Sequence, residues 1–200
     1  MKRILSIITL FALMGTLHTT EAQNSDIELS LEQGHEMKID GTSNVRDWDA
    51  DVNTVNATFV LSQFDLSDLS SLTADHFKTM ELSIPVEDIE SDSGRLTRNL
   101  QDYLKKDDHP IITFTMNEVE SVEINGNSAD IVASGVINAA GVDHETSMNV
   151  TATVNNGKVT FSGTQDLLMT DFGIDPPTAM LGSIRARDEI TIIYSLTFSN

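Results

Sequence analysis

Apolar and polar residues alternate along most of this chain, and the alternation predicts its fold class. A period of two is clear in residues 55–61, 80–87, 112–116, 148–155 and 190–198. Successive side chains of a β-strand point to opposite faces, so each stretch predicts a strand with one apolar and one polar face. The apolar faces must then meet in a common interior.

Turn signals separate the strand candidates. Turns are predicted at Gln33-Gly34, Asn125-Gly126, residues 141–144 and Asn155-Asn156-Gly157. The first of these makes residues 27–40 a predicted hairpin. About eight amphipathic strands joined mostly by short turns predict an antiparallel up-and-down barrel or a β-sandwich, and periodicity alone does not separate the two.

A helix is predicted over residues 93–106. Leu96, Leu100 and Tyr103 share one face at helical spacing. Asp92 or Ser93 is a suitable N-cap residue, because either side-chain oxygen can accept a hydrogen bond from an unpaired backbone amide. The fold class is therefore all-β with one inserted helix.

Residues 168–182 are an irregular apolar segment, because their prolines and glycines forbid a continuous helix or a central strand. Their large apolar residues are Met169, Phe172, Ile174, Met180 and Leu181. Apolar side chains on irregular backbone must pack on something, either the barrel's own core or the mouth of a ligand cavity. We expect a lid or an end plug.

The N-terminus has the composition of an export signal. Two basic residues precede an apolar run, residues 4–17, that is short for a membrane span, and a small-x-small cleavage motif ends at Ala22. We interpret residues 1–22 as a signal peptide. Residues 23–200 then form a periplasmic or secreted domain without a transmembrane anchor.

The mature chain is strongly acidic. The sequence has 12 lysines and arginines and 31 aspartates and glutamates, and loss of the leader removes two of the former and one of the latter, which leaves a net charge of −20. Nucleic acid and anionic membrane surfaces are poor partners for such a chain. The absence of cysteine from the sequence excludes thiolate metal sites and cysteine catalysis.

Other signals for metal, cofactor or catalytic sites are weak. Asp47, Asp49 and Asp51 begin like an EF-hand loop, but Val52 and Thr58 stand where that loop needs glycine and glutamate. The mature histidines are isolated in sequence, and no nucleotide-binding or serine-nucleophile motif is present. We expect no metal, no cofactor and no catalytic residues.

Four short motifs follow one another along the mature chain. They are Gly41-Thr42-Ser43-Asn44 with Trp48, Tyr103-Leu104 before residues 109–114, Gly135-Val136-Ile137 before Gly141-Val142, and Asp171-Phe172-Gly173-Ile174. Together they resemble the YceI family of exported, lipocalin-like proteins associated with polyisoprenoid binding. The resemblance implies an eight-stranded antiparallel lipocalin-like barrel with an apolar tunnel for an isoprenoid or fatty-acid-like lipid.

The predicted ligand-binding residues are the apolar members of the inward faces and of the irregular segment, with a tryptophan expected at a barrel end. They are Trp48, Phe59, Leu82, Phe114, Met116, Met148, Val150, Phe161, Met169, Phe172, Ile174, Met180, Ile192 and Tyr194.

Two other functions stay open. Aromatic and methionine side chains also fill cores, so the barrel could instead be a self-filled interaction module in the cell envelope, without a small-molecule ligand. A hydrolase or isomerase would need a buried polar cluster, such as His109 or His144 beside a carboxylate. The ligand's identity and the oligomeric state, a homodimer included, are also open.

Overall fold

The computed structural model describes residues 26–62 and 64–200, which form twelve β-strands, one α-helix and five short 3₁₀ turns. The strands are β1 (Ile27–Leu31), β2 (Glu36–Ser43), β3 (Trp48–Val52), β4 (Asn56–Leu61), β5 (Phe77–Pro85), β6 (Ile89–Glu90), β7 (Ile111–Asn125), β8 (Ser128–Ala139), β9 (Val142–Asn155), β10 (Lys158–Leu168), β11 (Thr178–Ala179) and β12 (Ile184–Ser199). Helix α1 spans Gly94–Tyr103. The predicted signal peptide, residues 1–22, lies outside the described residues.

Within this part of the chain the long strands close into an antiparallel barrel of eight. Two of the eight are interrupted. β1 and β2 form one of them, because both pair with β12, and β3 and β4 form the next, because they pair with β2 and β1 respectively. The order around the barrel is then β1/β2, β3/β4, β5, β7, β8, β9, β10, β12 and back to β1/β2. The predicted all-β barrel with one inserted helix is confirmed, and the sandwich is excluded.

The predicted hairpin at Gln33-Gly34 is wrong. β1 and β2 run in the same direction along β12, with Ser30 opposite Ser199 and Glu36 opposite Ser195. The backbone bulges at Gly34, where φ is +84°, and returns to the same partner. An interrupted strand and a hairpin give the same alternation of apolar residues, so periodicity could not tell them apart.

The turn predicted at residues 141–144 is shorter than expected. Ala140 and Gly141 form it with φ values of +51° and +82°, and β9 begins at Val142. Two successive positive φ angles are what a tight two-residue hairpin turn requires.

The two ends of the barrel differ. At one, which we call the closed end, the rings of Phe59, Phe161 and Phe198 pack edge to face, with centroids 5.2, 5.3 and 6.0 Å apart. Buried leucines of the segment 64–72 belong to the same core. The other end, which we call the open end, carries α1 and the irregular segment 168–182.

Helix α1 is held across the open end by a buried glutamine. The Gln101 amide donates to the backbone carbonyl oxygens of Glu87, at 3.0 Å, and Ile89, at 3.4 Å. Ser93 caps the helix as predicted, accepting a hydrogen bond from the Leu96 amide at 3.4 Å. No helix in the described ranges is long and apolar enough to cross a bilayer.

Candidate ligand-binding site

An apolar cavity of about 530 Å³ lies inside the barrel and reaches the surface at the open end. Inward side chains of the barrel strands form its wall, and α1 adds Leu96, Leu100 and Tyr103 at the mouth. Along β7 the lining extends from Ile112 to Val119, roughly 24 Å of strand at 3.4 Å per residue. A volume of this size is typical of a small-molecule site.

All fourteen residues predicted from the sequence as ligand-binding lie on this cavity. Phe59 and Phe161 are at its floor, Met116, Met148, Val150 and Tyr194 are in its deep half, Leu82, Phe114 and Ile192 are at mid-depth, and Trp48, Met169, Phe172, Ile174 and Met180 are at its mouth. The geometry brings these residues together, and their role in binding is part of the proposal below.

Aromatic rings of the wall occupy the space left by glycines on neighbouring strands. A Cβ atom on Gly41 would lie 2.1 Å from the Trp48 ring, and one on Gly135 would lie 2.5 Å from the Phe114 ring. The rings therefore fill positions against the sheet where other side chains would stand. The two rings line the cavity from positions close against its wall.

The first half of the irregular segment plugs one side of the mouth. Met169–Phe172 forms a 3₁₀ turn that ends at Gly173, where φ is +65°. Met169, Phe172 and Ile174 are buried there, in a small cluster with Leu167 and with the alanines at the end of β8, Ala139 and Ala140. These three residues behave as the expected end plug.

The second half of the segment does not pack as expected. Met180 and Leu181 are exposed, although Met180 lines the edge of the mouth. The expectation that all large apolar residues of this segment are packed is therefore wrong for these two. Both residues also have positive φ angles, a backbone conformation that the apolar composition of the segment does not predict.

Few polar groups interrupt the apolar lining. Gln165 is one of them, and its amide donates to the Thr146 hydroxyl at 3.0 Å. This bond joins β9 and β10 beyond Thr151 and Ser162, the pair at which their backbone ladder ends. Arg46 and Arg95 are exposed at the mouth and are the charged residues of the lining.

The structure gives the catalytic alternative little support. His144 Nε2 lies 3.8 Å from Asp171 Oδ2, but both side chains are about one-third exposed and neither lines the cavity. The His144 ring instead packs against Phe172, with ring centroids 5.4 Å apart. Among the described residues there is no cluster of three side chains that could hold a metal ion.

Tyr194 carries a buried hydroxyl without a hydrogen-bond partner among the described residues. The hydroxyl lies over Gly163, where a Cβ would be 2.7 Å away. Burial raises the pKa of Tyr194 to about 12, because the charged phenolate is poorly solvated there.

We expect Tyr194→Phe to raise the free energy of unfolding by about 1 kcal/mol, since it removes an unsatisfied polar group. The wild type should also lose stability as the pH rises from about 10 to 12, because the unfolded tyrosine ionises first, and the variant should not show this loss. Urea unfolding across pH measures both effects, with Tyr103→Phe as the exposed control. A destabilised Tyr194→Phe variant would mean that the hydroxyl has a partner in solution.

Comparison with known proteins assigns the chain to a family. The family model described as YceI-like domain matches residues 19–198. This chain belongs to the YceI family. The resemblance inferred from the four motifs is thereby confirmed. No curated protein sequence gives a significant match.

Several solved structures share the fold at low sequence identity. BcnA of Burkholderia cenocepacia is 18% identical, with a TM-score of 0.60 over 80% of this chain and 95% of its own. A polyisoprenoid binding domain from Saccharophagus degradans, implicated in plant cell wall breakdown, is 8% identical, with a TM-score of 0.60 over 86% of this chain and 97% of its own. The Campylobacter jejuni YCEI protein is 20% identical, with a TM-score of 0.56 over 76% and 84%.

Sequence reasoning missed part of the mouth of this YceI barrel. The apolar face of α1 was recognised, but nothing in its period says that Leu96, Leu100 and Tyr103 face a cavity. Gln165 was missed as well. The sequence does place Gln165 at an inward position of β10, between Phe161 and Leu167, and a single amide among apolar residues could have identified it as a polar group of the interior.

Proposed function

We propose that the protein is an exported carrier that binds an isoprenoid or another long-chain amphiphile inside the barrel, without chemical change of the ligand. The observation that carries this proposal is the apolar cavity of about 530 Å³, open at one end and floored by phenylalanines. The structural likeness to a protein described as a polyisoprenoid binding domain supports the same ligand class. Periplasmic or secreted localisation follows from the predicted leader, residues 1–22.

The affinity in this proposal comes from burial of the alkyl chain. Transfer of each methylene from water to the apolar lumen contributes about 0.8 kcal/mol. The fourteen residues predicted from the sequence supply part of the surface for this transfer, and flexible methionines such as Met116 and Met148 can adapt to branched or saturated chains. The self-filled interaction module is disfavoured, because the lumen is not filled by side chains.

Native mass spectrometry of the protein purified from its own host tests the proposal. We expect the protein to carry a co-purifying lipid that organic solvent extracts and that the extracted protein takes up again. Identification of the extracted lipid would name the ligand. A lipid-free protein that also fails to take up added polyprenyl and fatty-acyl compounds would refute the carrier function.

A further inference from the structure

Exposed apolar side chains are concentrated at the open end of the barrel. In the described part of the chain seven large apolar side chains are exposed, and six of them lie at this end. The six are Val45, Tyr103, Ile111, Leu168, Met180 and Leu181. The seventh, Ile193, lies on the outer barrel wall. An apolar surface confined to one end of an acidic barrel marks an interaction site.

The most exposed of these residues form what we call the rim, defined as Val45, Met180 and Leu181. Val45 and Met180 are 64% and 69% exposed, and Leu181 is fully exposed. Met180 and Leu181 have φ angles of +52° and +56°, in a region that residues other than glycine rarely adopt. Such strain persists where surrounding contacts enforce it and clusters at functional segments.

Hydrogen bonds hold the two parts of the rim together. The Asn44 side chain donates to the Ser183 carbonyl at 2.9 Å and accepts from the Arg185 amide at 2.8 Å. The backbone amide of Asn44 donates to the backbone carbonyl of Arg185 at 3.0 Å. The Ser43 hydroxyl closes the turn that carries Val45 by donating to the Arg46 carbonyl at 2.7 Å. These bonds tie the turn that carries Val45 to the segment that follows Met180 and Leu181.

We propose that the rim is the surface by which the protein docks on a phospholipid bilayer. This inference rests on the proposed carrier function, because a water-insoluble ligand must be taken from, or delivered to, a lipid phase. Val45 and Met180 also line the mouth of the cavity, so a docked rim places the opening directly on the bilayer. A chain could then pass between bilayer and lumen without crossing water.

The charges around the rim specify the kind of bilayer. Arg46 and Arg95 lie at the mouth, and the Arg185 guanidinium donates to the Gly182 carbonyl at 2.9 Å, beside Leu181. Guanidinium groups next to inserted apolar side chains can bond lipid phosphates. After loss of the predicted leader the net charge of −20 repels an anionic surface, so the bilayer that fits is zwitterionic, and apolar insertion should make docking insensitive to salt.

Vesicle flotation tests the docking surface. The probe is phosphatidylcholine vesicles, and the protein is the form recovered after export, with loss of the leader checked by intact mass. We expect the wild type to float with the vesicles, equally at low and high salt, and less well when anionic lipid is added. Leu181→Asn should weaken the partition about tenfold or more, because asparagine removes the apolar side chain and tolerates positive φ.

The matched control is Ile193→Thr, which removes apolar surface from the barrel wall with a residue that strands accept. It should float like the wild type. Wild type that stays with the buffer, or Leu181→Asn that floats unchanged, would overturn the proposal. A wild-type dimer that Leu181→Asn converts to a monomer would assign the rim to a second copy of the chain and also overturn it.

A second measurement separates this inference from the carrier function. A fluorescent fatty-acid probe added from ethanol reaches the cavity without vesicles, and Leu181 is not on the cavity lining, so wild type and Leu181→Asn should bind it equally. Probe binding without vesicle binding refutes the docking surface alone. If neither protein binds this probe or an added polyprenyl compound, the carrier function is refuted.

Discussion

In a series of amphiphiles with increasing alkyl length, affinity is expected to rise about fourfold per methylene and to stop rising at the length that fills the cavity. Leu82→Trp should shorten that limiting length most. Met148→Trp should shorten it less, because Leu82 is at mid-depth and Met148 is in the deep half of the lumen. Chains that extend past either block should lose affinity by about a hundredfold or more, since several methylenes then stay in water.

Isothermal titration with fatty acids of different lengths measures these limits. The two variants control for each other, because both place an indole in the lumen and differ in depth. Insertion into a hollow site should cost less than the roughly 1–3 kcal/mol typical of overpacking a filled core. Identical limits in the wild type and both variants would show that the chains bind outside the barrel.

The barrel could be predicted from the sequence because strand alternation carries information about faces. Residues 148–155 alternate without a break, and Met148 and Val150 do point into the barrel. The alternation could not establish connectivity at Gly34. A bulge and a hairpin leave the same pattern of inward residues in the sequence. They differ only in pairing, because β1 and β2 both pair with β12 and not with each other.

Whether the barrel is hollow could not be predicted from composition. Inward aromatic residues have two different roles in this barrel, and both roles give the same alternation of apolar and polar residues in the sequence. Phe59, Phe161 and Phe198 fill the closed end, whereas Trp48 and Phe114 lie over glycines of the wall. Whether an aromatic ring lies over a glycine depends on which strands are neighbours and on their register. The sequence therefore shows both partners without showing that they meet.

The irregular segment, residues 168–182, shows most clearly what composition cannot predict. Its apolar composition predicted a plug, and Phe172 and Ile174 form one. The same composition gave no reason to separate Leu181 from them. Leu181 is exposed and has a backbone conformation that propensities disfavour, and local rules fail most often at functional or strained sites.

Phe172→Ala is expected to lower the free energy of unfolding by about 3–5 kcal/mol, because Phe172 is buried in the plug cluster and its removal leaves a void. It should also speed ligand dissociation, since the ring closes one side of the cavity mouth. The matched control is Phe198→Ala. Phe198 is equally buried but belongs to the closed end and does not line the cavity, so its loss should cost similar stability and leave dissociation unchanged.

Stopped-flow displacement of a bound fluorescent fatty acid, together with urea unfolding, separates the two effects. If the alanine variants do not fold, Phe172→Leu and Phe198→Leu allow the same comparison at a cost below about 1.5 kcal/mol. Equal dissociation rates in the two variants, or a stability loss in Phe172→Ala that is the same with and without bound lipid, would make Phe172 a core residue only. Faster dissociation confined to the Phe172 variants would make the plug the barrier that the ligand must pass, because the closed end offers no such path.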